Sequence, residues 1–235
     1  MKKIVLITVS LVSAILSVFS VSAQTYFVKK VSPGAVRVTG KHNDRAWRQA
    51  NLLTHFLYPW DTVPAPATAF AALWDGEWLY CRFLVKDDTV LIYKKVNAKK
   101  EVGASDRAEI FLSTDDTLSR YYCLELDASG RILDYTATYY RNMDYDWQWP
   151  KGQLVVKTSP TADGYIVEAA ISIQSLKELG LLKEGHLRAG LFRAECKSLR
   201  DGRADLRWIS WIAPPSVKPD FHIPSAFGML VLEGY

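Results

Sequence analysis

The sequence predicts an all-β protein, an antiparallel β-sandwich with one short helix, and three observations carry that prediction. Apolar and polar residues alternate along most of the chain, which is the period of a half-buried strand. Turn signals at Asp75-Gly76-Glu77, Asp127-Ala128-Ser129-Gly130 and Ala162-Asp163-Gly164 separate the alternating runs. Only one short segment reads as helix, so strand follows strand and each sheet must bury its apolar face on another sheet.

The chain opens on Lys2 and Lys3, an apolar run from Ile4 to Val21, and Val21-Ser22-Ala23 before Gln24. This is the layout of a secretory signal peptide cleaved near Ala23. A membrane anchor is the alternative, because the run approaches the length needed to span a bilayer. Serines at 10, 13, 17 and 20 favour removal, and the residue directly after the cleavage signal is Gln24, not a cysteine that could carry a lipid. Past residue 24 no apolar run is long enough to span. The expectation is an exported protein, periplasmic or extracellular, with one domain over residues 24–235. No repeat, linker or break in composition divides that stretch.

Thr68–Trp74 and Leu79–Lys86 flank the first turn and read as a hairpin. Ala108–Ser113, Tyr121–Asp127 and Arg131–Tyr140 are the next strands, followed by Leu154–Thr158 and Tyr165–Ile171. Ser172 or Ser175 caps a short helix that buries Leu176 and Leu179 and stops at Gly180. Arg188–Cys196, Arg207–Ile212 and Phe227–Leu232 complete the strands. Two segments break the pattern. Asn142–Gly152 gathers Tyr145, Trp147 and Trp149 among acids and amides, and the proline-rich Ala213–Ala226 sets Phe221 beside His222. Aromatic rings on loops above a rigid sheet suit recognition; the alternative is that they plug the ends of the sandwich.

The formal net charge is +4, two of the positive charges being Lys2 and Lys3, and no basic block occurs, so nothing asks for nucleic acid. All eight tryptophans follow residue 23. Their flat faces suit stacking on sugar rings as well as core packing. Cys81, Cys123 and Cys196 form no CxxC pair or zinc cluster, and buried free thiols are expected over a disulfide.

Residues 105–112, SDRAEIFL, pose the functional question. Successive side chains of a strand point to opposite faces. Ala108, Ile110 and Leu112 then share one face, and Arg107, Glu109 and Phe111 share the other. Glu109 is either a structural charge paired with Arg107, Arg82 or Arg193, or the floor of a binding site that accepts bonds from hydroxyls. Glu125 lies on the next strand, and two carboxylates about 5 Å apart could instead hydrolyse a glycosidic bond. Asp87-Asp88 and Asp115-Asp116 read as turn residues or as oxygen ligands for a hard cation. His222 carries a charge that changes near neutral pH. No G-x-S-x-G, H-E-x-x-H, Walker or G-x-G-x-x-G motif occurs, and His42, His55, His186 and His222 are not spaced as metal ligands.

Seven motifs, taken in order, resemble carbohydrate-binding module family 9, particularly its exported branch. They are GKHNDRAW (40–47) with Asp44 and Trp47, ATAFAALWDGEWLYCRFLVKDD (67–88), SDRAEIFLS (105–113) and YYCLELDASGRILDY (121–135), then GYIVEAAISIQSL (164–176), WISW (208–211) and PDFHIPSAFG (219–228). The resemblance implies a jelly-roll β-sandwich that binds sugar, with structural calcium in some members, for which Asp87 and Asp88 are the candidates here. It implies that Glu109 bonds the ligand and that Phe221 stacks on it with His222 alongside. Where the family's sugar binders carry a tryptophan three residues before the signature aspartate, this chain has Gly103. Where they carry an arginine on the next strand, it has Glu125. Trp147 or Trp149 could restore the missing half of the aromatic sandwich.

The expectation is an exported, non-catalytic carbohydrate-binding protein that serves polysaccharide recognition or use. Its partner is a glycan held by Arg107, Glu109, Glu125, Trp147, Trp149, Phe221 and His222. A glycoside hydrolase using Glu109 and Glu125 is the alternative. A b-type haem domain ligated through His222 or Met143 is a third reading. Oligomeric state is left open.

Overall fold

Two sheets form, and a single strand belongs to both. A computed structural model of the chain describes residues 24–41, 44–200 and 203–235; the signal-peptide expectation (residues 1–23) and His42 lie outside them. Strand β1 (Thr25–Lys30) runs parallel to β13 (Gly228–Leu232) through Thr25–Val28 and then parallel to β2 (Thr68–Trp74) through Lys29 and Lys30. Every other pairing among the described strands is antiparallel. The expected β-sandwich is present, and its departure from antiparallel pairing is β1, which no hairpin ties to a neighbour and which can pair either way.

The first sheet runs, in spatial order, through β7 (Asn142–Asp144), β6 (Ile132–Thr138), β5 (Tyr121–Asp127), β4 (Arg107–Ser113), β11 (His186–Arg200), β13 and β1. Strands β10 (Leu182–Lys183) and β12 (Arg203–Ser210) also pair with β11. The second sheet runs from β1 through β2, β3 (Trp78–Lys86), β9 (Gly164–Ser172) and β8 (Leu154–Thr161). Alternation sets Ala108, Ile110 and Leu112 of β4 and Leu124 and Leu126 of β5 against Phe70, Phe83, Val167 and Ile171 of the other sheet. Each of these side chains larger than alanine contributes about 1.5–3 kcal/mol on burial, so this interface is the main source of stability.

The one α-helix among the described residues, α1 (Ile173–Glu178), begins where the Ser172 hydroxyl accepts from the amides of Gln174 and Ser175. It ends before Gly180, whose φ of +71° an L side chain rarely adopts. Gly164 has a second constraint, because a Cβ there would lie 1.9 Å from the Val85 carbonyl oxygen. The β8–β9 turn can approach β3 only through glycine. Cys81, Cys123 and Cys196 are buried free thiols, and burial pushes that of Cys81 up to about 12. Among the described residues no helix is long and apolar enough to cross a membrane.

Neither sheet leaves its outer face bare. On the second sheet Trp47 packs with Ala71, Leu73 and Tyr80 and lies 4.4 Å from the Arg82 guanidinium. The outer face of the first sheet carries a second apolar layer of Phe111, Tyr121, Tyr135, Phe192, Phe221 and Phe227. Lys99–Ala104, a 3-10 turn, and the loop before β13 contribute Val102 and Ala226 to it. This layer explains the sequence around SDRAEIFL: Phe111 belongs to a core of its own, and Glu109 stands beside that core.

Candidate functional site

The register of β4 on β5 sets Glu109 directly opposite Glu125. Two like charges facing each other across strands repel, and Arg107, on the same face of β4, resolves the conflict. Its Nε lies 2.9 Å from Glu109 Oε1 and 2.6 Å from Glu125 Oε2. Its Nη1 donates to the carbonyls of Gly103 at 2.8 Å and Ser105 at 3.3 Å, and the Tyr135 hydroxyl donates to Glu125 Oε1 at 2.9 Å. The triad is nearly sealed, with Arg107 3%, Glu109 1% and Glu125 6% exposed. One guanidinium neutralises one carboxylate, not two. Burial accordingly raises the Glu109 pKa, Arg107 opposes that, and Glu125 adds to it.

Above the triad lies a cleft of about 460 Å³. Lys100 and Gly103 line it from one segment, Met143 and Tyr145 from another, Trp208 from β12, and Asp220, Phe221 and His222 from the proline-rich loop. Tyr145 and Trp208 are half-buried rings. Tyr145 packs on Tyr135 at 4.8 Å with the Lys100 ammonium 5.0 Å from its ring, and the Arg107 guanidinium sits 5.3 Å from the Trp208 ring. The cleft thus combines an ionic floor, aromatic walls and a cationic rim.

The structure brings Arg107, Glu109, Glu125, Phe221 and His222 to one cleft and leaves Trp147 and Trp149 out of it. The two tryptophans pack on Tyr122, at 4.9 and 6.4 Å, on the side of β5 opposite Glu125. Trp149 belongs to the inter-sheet core, where its Nε1 donates to the Ser175 hydroxyl at 3.2 Å. Both rings turn to the inter-sheet side, where burial of large rings is favourable. Neither ring lines the cleft, contrary to the expectation that they would stand beside Glu109 and Phe221.

Three other expectations change in character. Glu109 lies on the outer face, as alternation requires, but as the partner of Arg107 rather than as an open acceptor. Phe221 is 5% exposed and stacks on Phe192 at 4.0 Å and 9°, with Trp60 at 5.3 Å and Trp208 edge-on at 5.7 Å. It braces the wall and presents no open ring face. His222 Nδ1 bonds the Tyr121 hydroxyl at 3.0 Å, and the ring packs on Phe111 at 5.2 Å. Burial, with Arg141 adding to it, lowers its pKa from 6.5 to about 4. His222 is therefore neutral near pH 7 and cannot switch there.

A consequence follows for acid stability. The unfolded chain protonates this histidine near 6.5, the folded chain only near 4, so its stability contribution is complete above 6.5 and is lost as pH falls. By pH 4.5 the loss reaches about 2–3 kcal/mol. Unfolding midpoints of the wild type and His222→Gln between pH 4.5 and 8 should converge towards acid, and parallel curves would refute the assignment.

Trp208, Tyr145 and Lys100 are cleft residues that the candidate set lacked. Trp208 stands in WISW and Tyr145 in the aromatic loop, so both lay within motifs already noted, but no local pattern tells which ring turns to the cleft. Three of the aspartates proposed for a cation already have protein partners. Asp87 Oδ2 pairs with Arg193 at 2.6 Å, a guanidinium that would repel a metal ion. Asp115 accepts from Thr117 and Ser119 within its own turn, and Asp116 pairs with Arg188 at 2.8 Å. Among the described residues no group of three or more His, Cys, Asp or Glu side chains could hold a metal.

Several solved structures share this fold. A protein of Bacteroides uniformis provisionally named carbohydrate-binding aligns with TM-score 0.68 and 19% identity over 90% of this chain and 100% of its own. A carbohydrate binding module family 9 protein from Caldicellulosiruptor kristjanssonii, solved with cellotriose, aligns with TM-score 0.61 and 19% identity over 90% and 95%. The same module solved with glucose gives TM-score 0.59 and 19% identity over 90% and 97%. No curated protein matches the chain. The model of the family described as "Carbohydrate family 9 binding domain-like" matches residues 38–235, and with that match over most of its length the chain belongs to this family.

Proposed function

We propose that this is an exported, non-catalytic carbohydrate-binding protein that holds a sugar over Arg107, Glu109 and Glu125 and serves polysaccharide recognition or use. The observation that carries the reading is the cleft, an ionic floor beneath the half-buried rings of Trp208 and Tyr145. A sugar offers C–H faces to the rings and hydroxyls to the exposed charges at the rim, Lys100 and Arg141, while the paired triad closes the floor. The fold supports the reading, since its relatives include a module solved with cellotriose and with glucose. Trp208 takes the role first expected of Trp147 and Trp149. Export rests on residues 1–23, and N-terminal sequencing of the secreted protein should begin at Gln24.

The hydrolase alternative loses its support in the geometry. Arg107 Nε contacts both carboxylates, so a glycosidic bond set between them would have to displace the guanidinium. For haem, His222 is 9% exposed and its ring packs on Phe111 at 5.2 Å, and the Met143 sulfur accepts from the Tyr145 hydroxyl at 3.0 Å, so neither presents an open position to iron. The test is a glycan array followed by calorimetry with glucose, cellobiose and cellotriose. Trp208→Ala should weaken binding by about 0.5–1.5 kcal/mol, the scale of an aromatic stacking contact. An array without any signal, unchanged affinity in the variant, or release of reducing sugar by the wild type would overturn the proposal.

A further inference from the structure

Two tyrosines at the tip of the β6–β7 hairpin have no place in the cleft or the core. Thr138 pairs with Asn142, so Tyr139, Tyr140 and Arg141 form the turn, and both tyrosines are 54% exposed. Most large rings among the described residues are buried or half-buried, and this pair is not. The turn is nonetheless held firmly. The Tyr140 hydroxyl donates to Asp220 Oδ2, Arg141 Nη1 pairs with Asp220 Oδ1 at 3.0 Å, and the same oxygen accepts from the His222 amide at 2.9 Å. Asp220, Arg141 and His222 all line the cleft. The Tyr139 ring meets that of Tyr140 edge-on at 5.3 Å.

We infer that Tyr140 is a second stacking platform, just outside the cleft, for the next unit of a glycan whose end occupies the cleft. The inference rests on the proposed function and narrows its ligand class: the protein selects oligosaccharides of two or more units over monosaccharides. A ring fixed through its hydroxyl loses little freedom when a ligand arrives, so its open face is pre-organised. Tyr140 also sits next to the cleft through Asp220 and not elsewhere on the surface, which makes a glycan continuing out of the cleft its natural occupant.

Calorimetry with glucose, cellobiose and cellotriose, and with the matching length series of any other glycan that the array returns, tests this on the wild type, Tyr140→Ala and Tyr140→Phe. The wild type should bind the disaccharide and trisaccharide more tightly than the monosaccharide. Tyr140→Ala should remove about two- to tenfold of that advantage and leave monosaccharide affinity unchanged. Tyr140→Phe keeps the ring and should keep most of the advantage. Equal weakening for every ligand length would mean that Tyr140 acts only by holding Asp220, and would overturn the inference. So would a wild type that binds monosaccharide and oligosaccharide alike, although the proposed function would then survive. A wild type that binds no sugar of any length removes both.

Discussion

Arg107→Met should destabilise the protein by about 3–5 kcal/mol at neutral pH, the cost of leaving a buried charge without its partner. In this case two carboxylates lose the same partner. Glu109 and Glu125 would face each other at 1% and 6% exposure with no cation between them. Methionine fills much of the space but cannot answer the charge. The defect should depend on pH with a defined sign. In the variant Glu109 loses the cation that opposes its rise, so its folded-state pKa moves further above the unfolded value, and stability is retained at acid pH and lost as pH rises. Denaturant midpoints measured from pH 4 to pH 8 would show the gap to wild type widening upwards. Adding Glu109→Gln to Arg107→Met should recover part of the loss at pH 8. A deficit below about 1 kcal/mol at every pH would mean that water reaches the triad and that the cleft is deeper than described.

Phe221→Ala is the second large effect, expected near 3–5 kcal/mol for a phenylalanine removed from a packed site. The ring lies between Phe192, Trp60 and Trp208, and no neighbour can fill the cavity without giving up another contact. A sugar platform on an open loop would behave differently, losing affinity while the unfolding midpoint stayed in place. Chemical denaturation with the slope monitored separates the two cases. Glycan affinity should also fall, because Trp208 loses the ring that it meets edge-on, but the stability loss is the distinguishing result. An unaltered midpoint would return Phe221 to the platform role that the family resemblance implies.

Much of the fold was legible because period-two alternation is a local property. Each of the ten strands expected from the sequence is present, most with ends shifted by a residue or more. Of those that escaped, β1 carries apolar residues on both faces, with Tyr26 and Val28 buried and Phe27 49% exposed, so no alternation showed. Strands β7 and β10 are three and two residues long, too short to display any period. The parallel pairing of β1 depends on β2 and β13, which lie far along the chain, and no property of TYFVKK specifies it.

The same division holds at the site. Alternation alone put Glu109 on the face away from Ala108, Ile110 and Leu112, and the ordered motifs alone pointed to the family. What the sequence could not decide was the partner, since Arg82, Arg107 and Arg193 were all available. Arg82 stands opposite Glu168 on the second sheet, Arg193 reaches Asp87, and only Arg107 shares the outer face of β4 with Glu109. Nor could it separate the rings that plug the sandwich (Trp147 and Trp149) from those that border the cleft (Trp208 and Tyr145). All four are aromatic residues in irregular segments or near strand ends, with the same chemistry and the same preference for burial. Which face of which sheet each one covers is settled by where the loops cross the sheets, a contact between distant parts of the chain that the local sequence does not encode.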